Sequence, residues 1–155
     1  MSEQLKVRIG YGLGTRTNLH DESYGVVVDA LEAHAFDSLW LSEKISGEAP
    51  DPLVAIAYGA GRTTNLKFGM SVMVLPGRNP VVLAKALATL GRMSGGRLLP
   101  AFGVGSALSR DFIATGRDTK GRGKRTEESL QIMSALWRED SVNFQGDYYQ
   151  LIDAS

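Results

Sequence analysis

Short apolar runs alternate with segments of helical periodicity four times along this 155-residue chain. Each apolar run is short enough for a β-strand, and the segment after it repeats its apolar residues at helical spacing. Strands that alternate with helices across short connections form parallel sheets through right-handed crossovers. The sequence therefore predicts an α/β fold in one domain, residues 1–155. The predicted strands are Lys6 to Tyr11, Ser38 to Ser42, Leu66 to Leu75 and Arg97 to Gly103.

Local residue types predict several helix boundaries. Asp51-Pro52 and Asn79-Pro80 each place a capping side chain before a proline, which suits the first helical position because the N–H that proline lacks has no partner there. Asn18 or Asp21 is available to cap the first helix. Gly95-Gly96 predicts the end of the third helix, because glycine adopts the left-handed conformation without a Cβ clash.

The C-terminal part of the sequence predicts less regular elements. Pro100 cannot donate to a central ladder, so the fourth strand should contain a bulge, lie at an edge or pair on one side only. A polar loop from Arg117 to Gly123 precedes a fourth helix, with Glu127 and Glu128 near its positive N-terminal end. Residues Val142 to Tyr149 predict two short strands around a Gln-Gly-Asp turn, which is an appended hairpin.

Charge and cysteine content argue against several classes of function. Lys plus Arg and Asp plus Glu number 17 each, so no net charge favours nucleic acid or an anionic membrane surface. There are no cysteines, which excludes disulfides and thiolate chemistry and fits a reducing compartment, so the cytoplasm is the predicted location. The N-terminus shows no export signal and no run of about 18 apolar residues occurs, so no membrane span is predicted.

Common catalytic and nucleotide-binding motifs receive no support from the sequence. Gly10, Gly12 and Gly14 lie close together, but Thr15 stands where a GxGxxG loop requires its third glycine. No Ser-His-Asp order, paired-carboxylate site or HExxH spacing supports hydrolytic or metal-dependent chemistry.

Motifs that occur together in residues 66–105 connect the chain with a known family. They are Val-Leu-Pro at 74–76, Arg-Asn-Pro at 78–80, Ser-Gly-Gly-Arg at 94–97 and Gly-Val-Gly at 103–105. With these motifs the segment closely resembles the strand-helix-strand core of the bacterial luciferase-like monooxygenase superfamily. The region from Arg122 to Trp137 and the following hairpin resemble the family's fourth helix and its continuation. Leu98 to Gly103 is closer to deazaflavin (F420) oxidoreductases of actinobacterial type than to the light-emitting enzymes.

The resemblance implies both a fold and an activity. A complete (β/α)8 barrel needs roughly 250 residues, so four strand-helix units imply the first half of a TIM barrel with a short C-terminal hairpin. The implied activity is that of an oxidoreductase in which reduced F420 passes a hydride to a small organic acceptor, and FMN-dependent monooxygenation is the alternative. A truncated or non-catalytic half-barrel that self-assembles is a further alternative. Exposed strand edges and an apolar barrel face predict a homo-oligomer.

The resemblance also implies a cofactor site at the C-terminal ends of the strands, where α/β barrels bind their ligands. Ser71 and Val72 fall where similar proteins carry a non-proline cis peptide and a bulge under the cofactor ring, although an ordinary buried strand also fits. Glycines at strand ends would let the backbone approach a ligand closely. Arg122 aligns with an arginine of the family in a basic cluster that also suits a solvated loop. The predicted cofactor contacts are Gly12, Ser71, Val72, Gly103, Gly105, Ser106 and Arg122.

Glu43 and Lys44 close the second strand and are the predicted catalytic residues. Similar proteins often carry an acidic residue followed by histidine there, and the histidine lies near the reactive part of the flavin. An unperturbed lysine has a pKa of about 10.4. Lys44 can therefore supply a positive charge to a reduced cofactor but shuttles protons less readily than histidine. A surface salt bridge between the two residues is the alternative.

Overall fold

Parallel strands form the central sheet of the computed structural model, which describes residues 7–17, 22–106 and 110–155. The strands are β1 (Gly10–Leu13), β2 (Ser38–Leu41), β3 (Lys67–Met70), β4 (Met73–Val74), β5 (Leu98–Leu99), β6 (Phe102–Gly103), β7 (Val142–Gln145) and β8 (Gln150–Ala154). The main sheet has the order β1-β2-β3-β5, and all of its pairs are parallel. The continuations β4 and β6 also pair in parallel. The predicted α/β class with parallel strands is confirmed.

Five α-helices are present in the described part of the chain. They are α1 (Glu22–Ala33), α2 (Pro52–Arg62), α3 (Pro80–Met93), α4 (Asp111–Ala114) and α5 (Arg122–Leu136). The sequence did not predict α4, and α5 begins inside the segment predicted as a polar loop. The first turns of α5 bury Arg125, Thr126 and Glu128, so apolar periodicity did not reveal them. Among the described helices, none is both long and apolar enough to cross a membrane.

The predicted caps of α2 and α3 are confirmed. The Asp51 carboxylate accepts hydrogen bonds from the N–H groups of Leu53 (2.9 Å) and Val54 (3.2 Å). The side-chain oxygen of Asn79 accepts equivalent bonds at 3.0 and 3.2 Å. The α3 helix ends before Gly95 and Gly96, whose φ angles of 65° and 79° are left-handed as predicted. The caps predicted for α1, Asn18 and Asp21, lie outside the described residues.

The long third strand predicted for Leu66 to Leu75 is wrong. The chain forms β3, passes through a cis peptide bond between Ser71 and Val72, forms β4 and then makes a 3-10 turn at Leu75–Gly77. The fourth predicted strand is interrupted at the same level, because Pro100 separates β5 from β6. Pro100 has no N–H to donate, and β5 and β6 each pair on one side only, as predicted. The cis peptide implied by the resemblance is confirmed.

The first strand lies further along the chain than predicted. The hydrogen-bonded stretch β1 begins at Gly10 because its partner β2 begins at Ser38. The Asp37 N–H donates to the Ile9 carbonyl (2.9 Å) just before this stretch. Gly12, which follows the predicted strand, is therefore part of β1, and Lys6 lies outside the described residues.

The main core lies on one face of the sheet. Alternate residues of β2 and β3, namely Leu39, Leu41, Phe68 and Met70, are no more than 1% exposed. They belong to one apolar cluster with side chains of α1, α2 and α3 and with Met133 of α5. The helices therefore bury this face of the sheet, and burial of such side chains is the main favourable contribution to folding.

The opposite face of the sheet carries one indole beside two glycines. Trp40 lies over β1 and β3, where a Cβ at Gly69 would overlap its ring and a Cβ at Gly10 would approach its Nε1 to 3.1 Å. The indole Nε1–H donates to the Ser38 hydroxyl (2.9 Å). Glycine at these two positions gives the indole room to lie against the sheet.

The predicted C-terminal hairpin is confirmed, with antiparallel β7 and β8 joined by residues 146–149. The Glu128 side chain of α5 is buried and accepts hydrogen bonds from the N–H groups of Asp147 (2.9 Å) and Tyr148 (3.0 Å). The Arg125 guanidinium lies 4.6 Å from the centre of the Tyr148 ring. The tip of the hairpin is therefore attached to the N-terminal half of α5.

The Glu32 carboxylate of α1 holds the turn that leads into β3. It accepts hydrogen bonds from the N–H groups of Thr64 (2.9 Å), Asn65 (3.0 Å) and Leu66 (2.8 Å). Burial alone would raise the pKa of Glu32, but these bonds and one from the Thr64 hydroxyl outweigh it and lower the pKa from 4.5 to about 2.

We expect this contact to make stability depend on pH. Because the pKa of Glu32 is depressed in the folded chain, its contribution is present above pH 4.5 and is lost as the pH falls towards 2. Solvent exposure of the carboxylate limits the effect to about 1 to 2 kcal/mol. Urea unfolding at several pH values should show this loss in the parent chain and not in Glu32→Gln. Glu139→Gln, at an exposed position, serves as the control. Parallel pH profiles for the parent and Glu32→Gln would contradict this role.

Candidate cofactor site at the strand ends

The C-terminal ends of β1, β2 and β3 lie side by side. The Ser42 N–H donates to the Leu13 carbonyl (3.0 Å), and the Ser71 N–H donates to the Leu41 carbonyl (2.7 Å). The segments that follow these strands therefore leave the sheet at the same edge. Most of the predicted site residues lie on these segments or at the end of β6.

Glu43 is held by two neighbours immediately after β2. Its side chain is only 2% exposed, and it forms an ion pair with Arg78. Its second oxygen accepts a hydrogen bond from the Val74 N–H (2.5 Å). Arg78 also contacts Asp51 (3.0 Å), the residue that caps α2. One buried carboxylate thus joins the end of β2 to the segment after β4 and, through Arg78, to the start of α2.

The charges in this group stabilise one another. Burial lowers the pKa of Arg78, but the hydrogen bonds and negative charges of Glu43 and Asp51 outweigh that effect and raise the pKa. Arg78 therefore stays positively charged, and its partners satisfy part of the hydrogen-bonding capacity of its guanidinium. Its Nε is buried and has no hydrogen-bond partner among the described residues.

Lys44 has different surroundings from its neighbour Glu43. Its side chain is exposed. It lines a cavity of about 240 Å³ together with Glu43, Ile45, Ala49, Asp51, Pro52 and Arg78. The alternative interpretation, a surface salt bridge between Glu43 and Lys44, is not formed, because the Glu43 carboxylate is engaged by Arg78 and Val74. Lys44 is thus the member of the pair that can approach a bound molecule.

Two valines of the third-strand region stand against two glycines of the fourth. A Cβ at Gly103 would lie 2.6 Å from Cγ2 of Val72, and a Cβ at Gly105 would lie 2.8 Å from Cγ1 of Val74. Val72 is 42% exposed at the end of β3. The space beside these glycines is therefore occupied by valine side chains, and the exposed Val72 side chain adds an apolar surface to this edge of the sheet.

The loop after β2 is attached to α4, an element that the sequence did not predict. The N–H and hydroxyl of Ser46 donate to the Asp111 carboxylate at 3.2 and 2.5 Å. Phe112, the next residue of α4, is buried and lies near Gly105. Ser106 lines a small cavity of about 20 Å³ beside these residues. The segments after β2 and β6 are thereby connected above the sheet edge.

The remaining predicted site residues are less closely associated with this group. A Cβ at Gly12 would meet no atom within 4 Å, so open space lies beside β1. Arg122 begins α5, a helix that packs against the 3-10 turn after β4, and it donates to the Thr119 carbonyl (3.4 Å). Its Nε is buried without a hydrogen-bond partner in the part of the chain that the structure describes.

The basic cluster around Arg122 divides into separate contacts. Arg125 is buried against Tyr148, and Lys124 pairs with Asp147 (3.0 Å). The sequence alone does not distinguish these two residues from Arg122. Both contact the hairpin, whereas the Nε of Arg122 is buried without a hydrogen-bond partner among the described residues.

Arg78 and Asp51 were missed as residues of this site. Asp51 was interpreted only as a helix cap, and Arg78 entered only as part of the Arg-Asn-Pro motif. One signal in the sequence was available: Arg78 is a single charged residue that follows the apolar run of the third strand and its turn. A charge at such a place requires a partner, and Glu43 provides it.

The sequence matches the model of one protein family and is similar to known dehydrogenases. The sequence model of the luciferase-like monooxygenase family matches residues 16–155. An F420-dependent glucose-6-phosphate dehydrogenase of Kineococcus radiotolerans is 36% identical over 132 residues, which is 80% of this chain and 39% of the relative. A second such dehydrogenase, from Amycolatopsis mediterranei, is 38% identical and is covered to 40%. The chain therefore spans about two fifths of the length of these relatives.

The chain is also similar to solved structures. An F420-dependent secondary alcohol dehydrogenase in complex with an F420-acetone adduct is similar over 97% of this chain and 48% of its own, with a TM-score of 0.77 and 25% identity. The oxygenating constituent of 3,6-diketocamphane monooxygenase from Pseudomonas putida, in complex with FMN, matches over 92% of this chain and 43% of its own. Its TM-score is 0.78 and its identity 24%, a likeness of fold alone.

Proposed function

The chain belongs to the luciferase-like monooxygenase family, and we propose that it builds part of the cofactor site of an F420-dependent oxidoreductase acting on a small organic substrate. The observation that carries the proposal is the exposed Val72 side chain at the strand ends, which packs against Gly103. The exposed Lys44 follows the neighbouring strand, β2. The relatives that share 36% and 38% identity are F420-dependent dehydrogenases, which favours F420 over the alternative, FMN.

The residues at the strand ends fit a flat ring system with an anionic tail. The Ser71-Val72 segment offers an apolar surface to one ring face, and the open space beside Gly12 leaves room for the ring. Gly105 and Ser106 offer backbone and a hydroxyl near the ring edge. A cofactor of this type supplies hydride-transfer chemistry when it is bound.

Charged residues would complete the site. Lys44 is proposed to place a positive charge beside the electron-rich ring, and Arg122 to bind the anionic tail through its guanidinium, whose buried Nε has no hydrogen-bond partner among the described residues. A catalytic role of Glu43 stays a prediction. Its contacts favour a positioning role, because both carboxylate oxygens are engaged by Arg78 and Val74.

We further propose that the four strand-helix units form half of a (β/α)8 barrel and that a second set of strands completes it. The sheet leaves one edge of β1 and the face carrying Trp40 without partners among the described residues. Interior faces of such barrels are normally packed with side chains. Self-association into a homo-oligomer would cover this face in the isolated chain. The absence of cysteine supports a reducing location such as the cytoplasm.

Titration with F420 and, separately, with FMN tests both proposals. The chain has two tryptophans, so Trp137→Phe leaves Trp40 as the single fluorescent reporter on the proposed barrel face. We expect saturable quenching at micromolar cofactor, tighter for F420, and a mass of at least two chains by light scattering. Binding of neither cofactor would favour the non-catalytic half-barrel. A monomer at micromolar concentration would contradict self-association, independently of the binding result.

A further inference from the structure

Gly103 is required for space and not for its backbone conformation. Its φ angle is not left-handed, in contrast to the 72° of Gly105. A Cβ at Gly103 would lie 3.6 Å from Cβ of Val72, which is an ordinary contact, but only 2.6 Å from its Cγ2. Real side chains do not tolerate the shorter of these distances. The smallest possible side chain at residue 103 would therefore displace Val72.

Val72 has little freedom to avoid such a side chain. The next residue, Met73, is fully buried and its N–H donates to the Ala101 carbonyl (2.9 Å). Val74 pairs with Gly103 in the ladder, and its N–H is bound by Glu43. The β-branched valine also has few accessible χ1 rotamers. Because the chain after Val72 is held on both sides, a new Cβ would push the valine side chain towards its exposed side.

We propose that Gly103 is a specificity-determining position of the cofactor site that acts through Val72. Because residue 103 has no side chain, the Val72 side chain can pack directly against its backbone. The exposed methyl groups of Val72 would then determine how closely a planar tricyclic ring can approach the strand ends. Gly103 is thus a positioning residue for the ring and makes no contact with it. The inference rests on the proposed function, since it concerns the same site.

A smaller side chain at residue 72 should leave room for a side chain at residue 103. Val72→Ala removes Cγ2, the atom that a Cβ at residue 103 would strike, so it should accommodate Gly103→Ala. The two substitutions are therefore expected to be strongly non-additive, as is usual for residues in direct contact. An independent role of Gly103, such as direct approach of its backbone to the ligand, would instead give additive effects.

The test is a double-mutant cycle of Gly103→Ala and Val72→Ala, with Gly61→Ala as control. Gly61 lies in α2, where an added Cβ meets no atom within 4 Å. F420 and FMN affinities are measured by Trp40 fluorescence. We expect Gly103→Ala to raise the Kd by about tenfold or more. Adding Gly103→Ala to Val72→Ala should change the Kd by less than about threefold, and Gly61→Ala should not change it.

A ligand-free measurement separates this inference from the proposed function. In samples with ¹³C-labelled valine methyl groups, Gly103→Ala should shift the Val72 methyl resonances, whereas Gly61→Ala should leave them in place. If the parent chain binds neither cofactor, the proposed function fails. Unchanged Val72 resonances in Gly103→Ala would overturn the proposed role of Gly103 in positioning Val72. Should Gly103→Ala not fold, recovery of the fold by Val72→Ala supports this role, and failure to recover overturns it. Equal losses of affinity in the Val72 and Val72→Ala backgrounds would also overturn it.

Discussion

Replacement of Arg97 by methionine is expected to lower the free energy of unfolding by about 3 to 5 kcal/mol. The Arg97 Nε donates to the Ser94 carbonyl (2.7 Å) after α3. Its Nη1 donates to the Leu66 carbonyl and the Thr63 hydroxyl (both 2.8 Å), and its Nη2 donates to the Ala60 carbonyl (2.7 Å). One planar cation therefore joins the ends of α2 and α3 to the residue before β3.

The size of this effect follows from the geometry of the guanidinium. Methionine fills much of the same volume but leaves three carbonyls without their donor. Each such bond to a charged group is worth at most about 1.5 to 3 kcal/mol, and water replaces part of it at these part-buried carbonyls, so the total loss is about 3 to 5 kcal/mol. The carbonyls of Ala60 and Ser94 lie near helix C-termini, where a cation is also favoured by the helix dipole. Arg97→Lys should lose an intermediate amount, because an ammonium keeps the charge but lacks the planar fork.

Urea unfolding of the parent and the variants measures this expectation. Arg92→Met is a matched control, because Arg92 is exposed on α3 five residues before Arg97 and should change stability by less than about 0.5 kcal/mol. A loss below about 1 kcal/mol for Arg97→Met would mean that the carbonyls find other partners and that the guanidinium is dispensable.

Glu43→Gln is expected to have the second large effect, with a loss of about 2 to 4 kcal/mol in the free energy of unfolding. Glutamine has the same shape and keeps an oxygen for the Val74 N–H, but it removes the negative charge from the partly buried Arg78. Asp51 remains as a partner of Arg78 at 3.0 Å, so the loss should be smaller than for a wholly unpaired buried charge.

The same substitution separates positioning from proton transfer. If Glu43 acts through the Val74 segment, Glu43→Gln should weaken cofactor binding together with stability, without moving the pH profile of any activity. Lys44→Gln is the matched comparison at the adjacent, exposed position. It should leave stability within about 0.5 kcal/mol of the parent and weaken cofactor binding alone. Unchanged stability in Glu43→Gln would contradict the positioning role.

The sequence correctly predicted those elements whose boundaries are set by residues close together in the chain. The starts of α2 and α3 follow from a capping side chain and a proline, Asp51-Pro52 and Asn79-Pro80, and both interactions are complete within three residues. The hairpin was found from its turn residues for the same reason, although β8 begins later than expected. The start of α5 was missed because its buried face is polar there, with Arg125 and Glu128 satisfied by the distant hairpin.

The interruption of the strands depended on contacts between distant residues. The apolar run from Leu66 to Leu75 gives no local sign of a break, yet it divides into β3 and β4 where the neighbouring strand divides at Pro100. A strand can continue only while its neighbour offers hydrogen-bond partners, and the interruption of one is therefore matched in the other. The sequence of the third strand alone does not contain this information.

The sequence by itself determined the α/β class, the family and the caps of α2 and α3, because periodicity, capping and motif spacing are local properties. Only the tertiary structure decided the limits of the strands and the surroundings of each predicted site residue. Glu43 and Lys44 are adjacent in the chain, but one is buried against Arg78 and the other is exposed. A Cβ at Gly103 would lie 2.6 Å from Cγ2 of Val72, a contact that the sequence did not indicate. Burial and charge pairing arise between segments far apart in sequence, so folding must bring them together before either role exists.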